Sequence, residues 1–179
     1  MTDLKDRVAI IGAGQTNFGE LWDKSIRRIT LTAAGTCLVD AGVAGVDIDG
    51  LYVSNTSTSS FIQQEHQAVM AADSGGLLPI ASTEVEAACA SGGVAVRHAY
   101  LAIKSGEHKV VMVVGCEKMS DISEEAIADT LMSAADREWE SQIGATFPSL
   151  FALLARRHMM HYGTTEEQLA AVPVKAHAN

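Results

Sequence analysis

Apolar residues run along this chain with two periods, and the switch between them marks out its elements. Arg7–Gly14 places four apolar residues in a row before Gly-Ala-Gly, the pattern of a strand buried on both faces. Ser25–Ala41 returns to a helical period, with Ile26, Ile29, Ala33, Ala34, Cys37, Leu38 and Ala41 on one side and Gly42 as a stop. Gly50–Asn55 predicts a second strand. The Ser/Thr run Thr56–Ser60 then reads as a loop, or as an edge segment that wants a partner. Gln64–Asp73 predicts a short helix ended by Gly75-Gly76, and Thr83–Ala88 a third strand. Ala90–Ser105, closed by Gly106, is apolar nearly all round, as expected of a helix buried on more than one side. Lys109–Gly115 is a continuous β-branched run of the kind found in the middle of a parallel sheet. Strands alternating with helices in this order predict an α/β layered fold with right-handed crossovers.

Beyond Cys116 the texture changes. Glu117–Gln142 is rich in charge, Ser and Met with weak periodicity, and its acidic clusters read as a solvated surface. Pro148 opens a helix through about Tyr162, capped by Gly163. Thr164 or Thr165 ahead of Glu166-Glu167 signals the start of a last helix.

Composition narrows the functions. The 179 residues carry 13 Lys and Arg against 22 Asp and Glu, a net charge of −9. With no basic cluster, nucleic acid and anionic membrane surfaces are poor partners. Residues 1–7 hold two Asp, one Lys and one Arg, unlike a signal peptide, and no apolar run is long enough to cross a bilayer. Cys37, Cys89 and Cys116 are odd in number and far apart, without metal-knuckle spacing, so a reducing, cytoplasmic setting is expected.

Cys89 is the foremost candidate for chemistry. It stands where a strand gives way to a helix. There the unsatisfied N–H groups of the first turn and the positive end of the helix dipole stabilise a thiolate. The small residues after it, Ala90-Ser-Gly-Gly93, keep an approach open. A buried structural cysteine fits the same pattern, and both readings stand on the residues alone. Cys37 lies in an apolar stripe and reads as core; Cys116 reads as a small residue filling a corner. Glu84 and Glu86 share one strand face, as a solvated or intersubunit pair. Gly12-Ala-Gly14 invites a dinucleotide reading, but the third glycine of that fingerprint would fall at Asn17. The six histidines (66, 98, 108, 158, 161 and 177) include none in a motif that marks it as a base for Cys89. His98 lies nine residues further along the same helix, roughly 13 Å at 1.5 Å per residue.

Several stretches together resemble the thiolase family, in particular the branch of sterol-carrier-protein-type thiolases and archaeal and bacterial acetyl-CoA acetyltransferases. They are Gly14-Gln-Thr-Asn-Phe-Gly19, Asp40-Ala-Gly42, Glu86-Ala-Ala-Cys-Ala-Ser-Gly-Gly93, Val114-Gly-Cys-Glu-Lys-Met-Ser120 and Phe151–Asn179. The resemblance implies a thiolase-like layered fold, half of an α/β/α/β/α sandwich, with a mixed five-stranded sheet and a helical loop region. It implies an N-terminal α/β domain over residues 1–119 and the start of a coenzyme A-binding loop region over 120–179.

By the same resemblance Cys89 is the nucleophile that carries the acyl group, with acyl-CoA and coenzyme A as substrates and no permanently bound cofactor or metal. Relatives of that kind carry a Gly-His-Pro stretch and a later Cys-x-Gly stretch in a C-terminal half, and neither occurs here. The expectation is therefore a chain that works with a C-terminal half in cis or in trans. A homodimer or tetramer and a zinc-ribbon/OB-fold acyl-CoA-binding partner are further expectations by resemblance. A ketoacyl synthase or hydroxymethylglutaryl-CoA synthase type of condensing enzyme is the nearest rival. A non-catalytic scaffold with an inert Cys89 is the other.

Overall fold

The computed structural model describes residues 8–179. By contact density the chain divides into two compact units, one running through Ile127 and the other spanning Ala128–Asn179. The first unit holds a three-stranded sheet of β1 (Gly50–Asn55), β2 (Ala81–Glu86) and β3 (Val111–Gly115), in the order β2-β1-β3. Both pairings are parallel, with Gly50 opposite Ala81 on one side and Val111 on the other. β1 is thus the middle strand, and β3, the most apolar of the three, lies at an edge.

Alternation along β1 and β3 sorts the helices onto two faces. Leu51, Val53, Met112 and Val114 enter one core with Ile26 of α1 (Ile26–Ala41) and Ala68, Met70, Ala71 and Ala72 of α3 (Gln67–Ser74). Tyr52, one residue out of phase, stacks on His98 of α4 (Ser91–Ser105) with ring centroids 5.9 Å apart. The result is a helix–sheet–helix sandwich. The predicted stops hold: Gly42 and Gly106 take left-handed φ of 67° and 83° and return their N–H groups to the last helical carbonyls. The short helix α2 (Thr58–Ile62) occupies much of the Ser/Thr run, with Thr58 and Phe61 buried.

Three expectations change. The sheet has three parallel strands among the described residues, where the resemblance implies five in a mixed sheet. The predicted first strand, apart from Arg7, which is outside the described residues, is not a ladder strand; Ile10 and Ile11 are exposed. It lies along α1 instead, where Ala13 N–H donates to Asp40 Oδ2 at 2.9 Å. Third, α4 buries one face only, through Ser91, Ala95, Ala99 and Ala102, while Val96 and Leu101 are exposed. Apolar composition lets a helix be covered on several sides, and among the described residues α4 is covered on one.

The glycines of the first segment have a packing cause rather than a ligand cause. A Cβ on Gly12 would lie 2.6 Å from Ala41 Cβ and 2.8 Å from the Cys37 carbonyl oxygen; on Gly14 it would lie 2.5 Å from the Ala33 oxygen. The segment approaches the small-residue side of α1 too closely for any side chain. Gly12→Ala is expected to cost about 1–3 kcal/mol by overpacking, read as a lower urea midpoint. An unchanged midpoint would mean that the segment does not rest on α1.

The second unit is helical. α5 (Glu124–Met132) bridges into it, and a π-helical turn at Arg137–Ser141 follows, capped by Asp136, whose carboxylate accepts from Glu138 and Trp139 N–H. α6 (Phe147–Tyr162) and α7 (Glu166–Ala178) start at Thr146 and Thr165, each with a reciprocal capping box. Neither α6 nor α7 has a buried residue, and Phe151, Leu153, Leu154, Met160 and Val172 are exposed. No helix among the described residues is long and apolar enough to cross a membrane.

Candidate active site

The carboxyl ends of all three strands meet at one cavity of about 660 Å³. Ser54 and Asn55 from β1, Gly115 and Cys116 from the end of β3, and Ala88 and Cys89 from the turn after β2 all line it. The Gly14–Gly19 loop and Ile29 and Ala33 of α1 close the side. In parallel α/β sheets, loops at the carboxyl ends of the strands are where ligands bind.

Cys89 is exposed and sits in a single 3₁₀ turn, Ala88–Ala90, between β2 and α4. The turn is entered through Ala88, a non-glycine residue at φ +49°. Such a conformation costs on the order of 1–3 kcal/mol and persists only where neighbours hold it. Here they do. Ala88 N–H donates to the Glu86 carboxylate. The buried Ser91 hydroxyl accepts from Ala87 N–H at 2.7 Å and donates to the Ala88 carbonyl at 2.6 Å. Thr56 Oγ1 donates to the same carbonyl at 3.4 Å. The amides of Ala90 and Ser91 are used by the Ala87 and Ala88 carbonyls. Among the described residues the Cys89 N–H has no partner.

Cys116 shares the cavity but differs in kind. It is buried, and burial pushes its thiol above the ordinary cysteine value; a hydrogen bond with the Thr30 side chain works against this, and the Glu117 and Glu84 carboxylates add to it. Cys37 is part-buried in α1.

Two carboxylates read as solvated turn out to be structural. Glu117 is no surface residue of an acidic run: its Oε2 accepts from Thr56 N–H at 2.7 Å and Ser57 N–H at 3.1 Å, and its Oε1 from Thr58 Oγ1 at 2.6 Å. Beside it Lys118 is 7% exposed and paired with Asp121 at 2.7 Å. Glu84 ties Asn55 Nδ2 (2.6 Å) to the N–H of Gln67 at the start of α3 (3.0 Å). Sequence periodicity could not find the role of Glu117, because the signal is a long-range contact between two strand ends. The resembling stretch Val114–Ser120, which contains both residues, is the hint that the sequence does carry.

No histidine lines this cavity. His98 stacks on Tyr52, and His66 is the exposed residue before α3. His108 lies at the opposite end of the sheet, its Nδ1 3.7 Å from Asp49 Oδ1. Asp49 there is subject to slight burial, which raises its pKa. The N–H groups of Lys109 and Val110, with His108, more than offset this and hold it below the usual carboxylate range. His158 and His161 pack on Tyr162 within the second unit. No group of acidic, Cys and His side chains suited to a metal occurs among the described residues.

A layered α/β unit with an exposed thiol on a strand-to-helix turn at the carboxyl ends of its strands defines the class. Comparison with known proteins then narrows it. Residues 8–179 match the family described as "Thiolase, N-terminal domain". An acetyl-CoA acetyltransferase of Methanothermobacter thermautotrophicus is 53% identical over 172 residues, covering 96% of this chain and 44% of the relative. One from Methanocaldococcus jannaschii is 50% identical, with 96% and 43% covered. Among solved structures, the Ltp2–ChsH2(DUF35) aldolase superposes with a TM-score of 0.68 at 26% identity, over 88% of this chain and 39% of that one. The chain belongs to the thiolase family, and it spans less than half the length of these curated relatives.

Proposed function

We propose that this chain is the nucleophile-bearing part of a thiolase-type acyl-CoA C-acyltransferase, an acetyl-CoA acetyltransferase or 3-ketoacyl-CoA thiolase, in which Cys89 forms the acyl-enzyme. The observation that carries the reading is the exposed Cys89 thiol on the β2–α4 turn, opening on the strand-end cavity, its own N–H unpartnered among the described residues. The names of the two archaeal relatives support the substrate class.

Chemically, the Cys89 thiolate adds to the thioester carbonyl of an acyl-CoA. Its sulfur–carbon bond forms as the carbon–sulfur bond to coenzyme A breaks, and the departing thiolate takes up a proton. The acyl group then passes to a second coenzyme A thiol or to the carbanion of acetyl-CoA. The N–H of the nucleophile's own residue would donate to the oxyanion of the tetrahedral intermediate. Coenzyme A enters as substrate, and no resident cofactor is part of the proposal. The base and a second cysteine come from a C-terminal half, in cis or in trans.

Two features support an incomplete unit. Among the described residues one edge of β3 has no ladder partner, and an apolar cavity of about 540 Å³ lies between it, α4 and the Val8–Gly14 segment. α4 also leaves a face open, with no atom within 4 Å of a Cβ at Gly92 or Gly93. A dimer or tetramer belongs to the same proposal, as does a second, acyl-CoA-binding subunit of zinc-ribbon/OB-fold type. The two components named in the Ltp2–ChsH2(DUF35) assembly support the latter.

A second reading has one observation in its favour. A mycobacterial β-ketoacyl-[acyl-carrier-protein] synthase III is 35% identical over 98 residues, 55% of this chain. That reading predicts an acyl-carrier-protein donor rather than a coenzyme A donor. Iodoacetamide labelling near neutral pH, followed by peptide mass spectrometry, separates both enzymes from an inert scaffold. Cys89 is expected to react about tenfold faster than Cys37 or Cys116, because it is the exposed thiol at a helix start. Equal rates at Cys89 and Cys37 would favour the scaffold.

A further inference from the structure

We infer that Glu117 is a positioning residue for Cys89, acting through Thr56; the inference rests on Cys89 being the reacting thiol. Glu117 lies two residues beyond β3, and its carboxylate gathers the turn that follows β1. Oε2 takes the N–H groups of Thr56 (2.7 Å) and Ser57 (3.1 Å), and Oε1 takes the Thr58 hydroxyl (2.6 Å). Hydrogen bonds to an ionised acceptor are the stronger kind. From the turn so fixed, Thr56 Oγ1 donates to the Ala88 carbonyl at 3.4 Å.

That carbonyl belongs to the peptide that ends in the Cys89 nitrogen. It follows the one residue of the turn held at positive φ, Ala88 at +49°. A non-glycine residue in that region relaxes unless its surroundings hold it. Ser91 holds the peptide from the α4 side, and Thr56 holds it from the β1 side. Glu117 therefore connects the end of β3 to the peptide that sets the direction of the Cys89 N–H and side chain. Both of its oxygens are committed to donors of the turn, so its role at Cys89 is geometric, with no proton transfer assigned to it.

The test uses the whole 179-residue chain and three variants: Glu117→Ala, Glu117→Gln and Thr56→Val. The readout is the iodoacetamide rate at Cys89, with Cys37 of the same molecule as internal control and the urea midpoint alongside. Glu117→Ala and Thr56→Val are expected to slow Cys89 about three- to tenfold, the range one lost hydrogen bond produces, with the Cys37 rate unchanged. Glu117→Gln keeps one oxygen for the Thr56 and Ser57 amides and turns its NH₂ to the Thr58 hydroxyl, so the Cys89 rate returns to within about twofold.

An unchanged Cys89 rate in Glu117→Ala overturns the inference. So does a parallel change at Cys89 and Cys37, which marks general loosening, or a Glu117→Gln rate as low as that of Glu117→Ala beside a silent Thr56→Val, which marks charge rather than geometry. Should Glu117→Ala fail to fold, Thr56→Val carries the test, since it removes one hydroxyl and keeps the shape. A wild-type Cys89 no faster than Cys37 would instead sink the reading of Cys89 on which the inference rests.

Discussion

Replacing Cys89 with serine is expected to abolish acetyl transfer in the assembled enzyme, meaning this chain together with a thiolase C-terminal half. The expected loss in kcat is roughly three orders of magnitude or more, the scale seen when a covalent nucleophile is removed. The argument is chemical rather than steric. Serine keeps the shape and the exposed position, but an alcohol is a far weaker nucleophile than a thiolate, even beside a base from the C-terminal half. None of the hydrogen bonds that hold the turn uses the Cys89 side chain; they run through Ala87, Ala88, Ser91, Thr56 and Glu86. The variant should therefore melt within a degree or so of the parent, about what a surface substitution away from the core produces. Cys116→Ser and Cys37→Ala serve as controls, and both should retain acyl-enzyme formation. Retention of more than about a tenth of the transfer rate by Cys89→Ser would remove the nucleophile assignment.

Much of the scaffold was legible because it is locally encoded. Ser25, Thr146 and Thr165 cap helices with their own side chains, and Gly42, Gly106 and Gly163 close them. β1 falls where its apolar run predicts, at Gly50–Asn55, and the strand-to-helix junction at Cys89 falls between β2 and α4 as expected. What the sequence hid depends on contacts far apart in the chain. Glu117 opens a charged stretch and looks solvated; only the meeting of two strand ends gives it three donors. Thr56–Ser60 looks like a loop because hydroxyl-rich runs compete with helix, yet the same carboxylate and a buried Phe61 anchor it as α2. The Val8–Gly14 segment has every apolar mark of a strand, but pairing requires a neighbour, and periodicity says nothing about whether one is present.

The lack of a ladder partner for this segment among the described residues bears on the second large effect. The 179 residues purified alone are expected to show no thiolase turnover, and assembly with a C-terminal half should restore it. Three observations converge. The cavity around Cys89 has no histidine, and the nearest in sequence, His98, is turned onto Tyr52 across the sheet from α1 and α3. Cys89 offers an exposed thiol, whereas a general base contributes about 10²–10⁴ in rate by itself. Among the described residues β3 also has an unpaired edge over a 540 Å³ apolar cavity, and the exposed face of α4 carries two glycines with open space above them. Unpaired edges and open apolar faces are sites where further chain packs in complete folds. The measurement is coenzyme A release from acetoacetyl-CoA, for the chain alone and for an equimolar mixture with the C-terminal half of the Methanothermobacter relative, which is 53% identical over the shared part. A measurable rate from the chain alone would refute the need for a second half. An inactive mixture whose Cys89 still alkylates fast would leave the nucleophile and overturn the proposed source of the base.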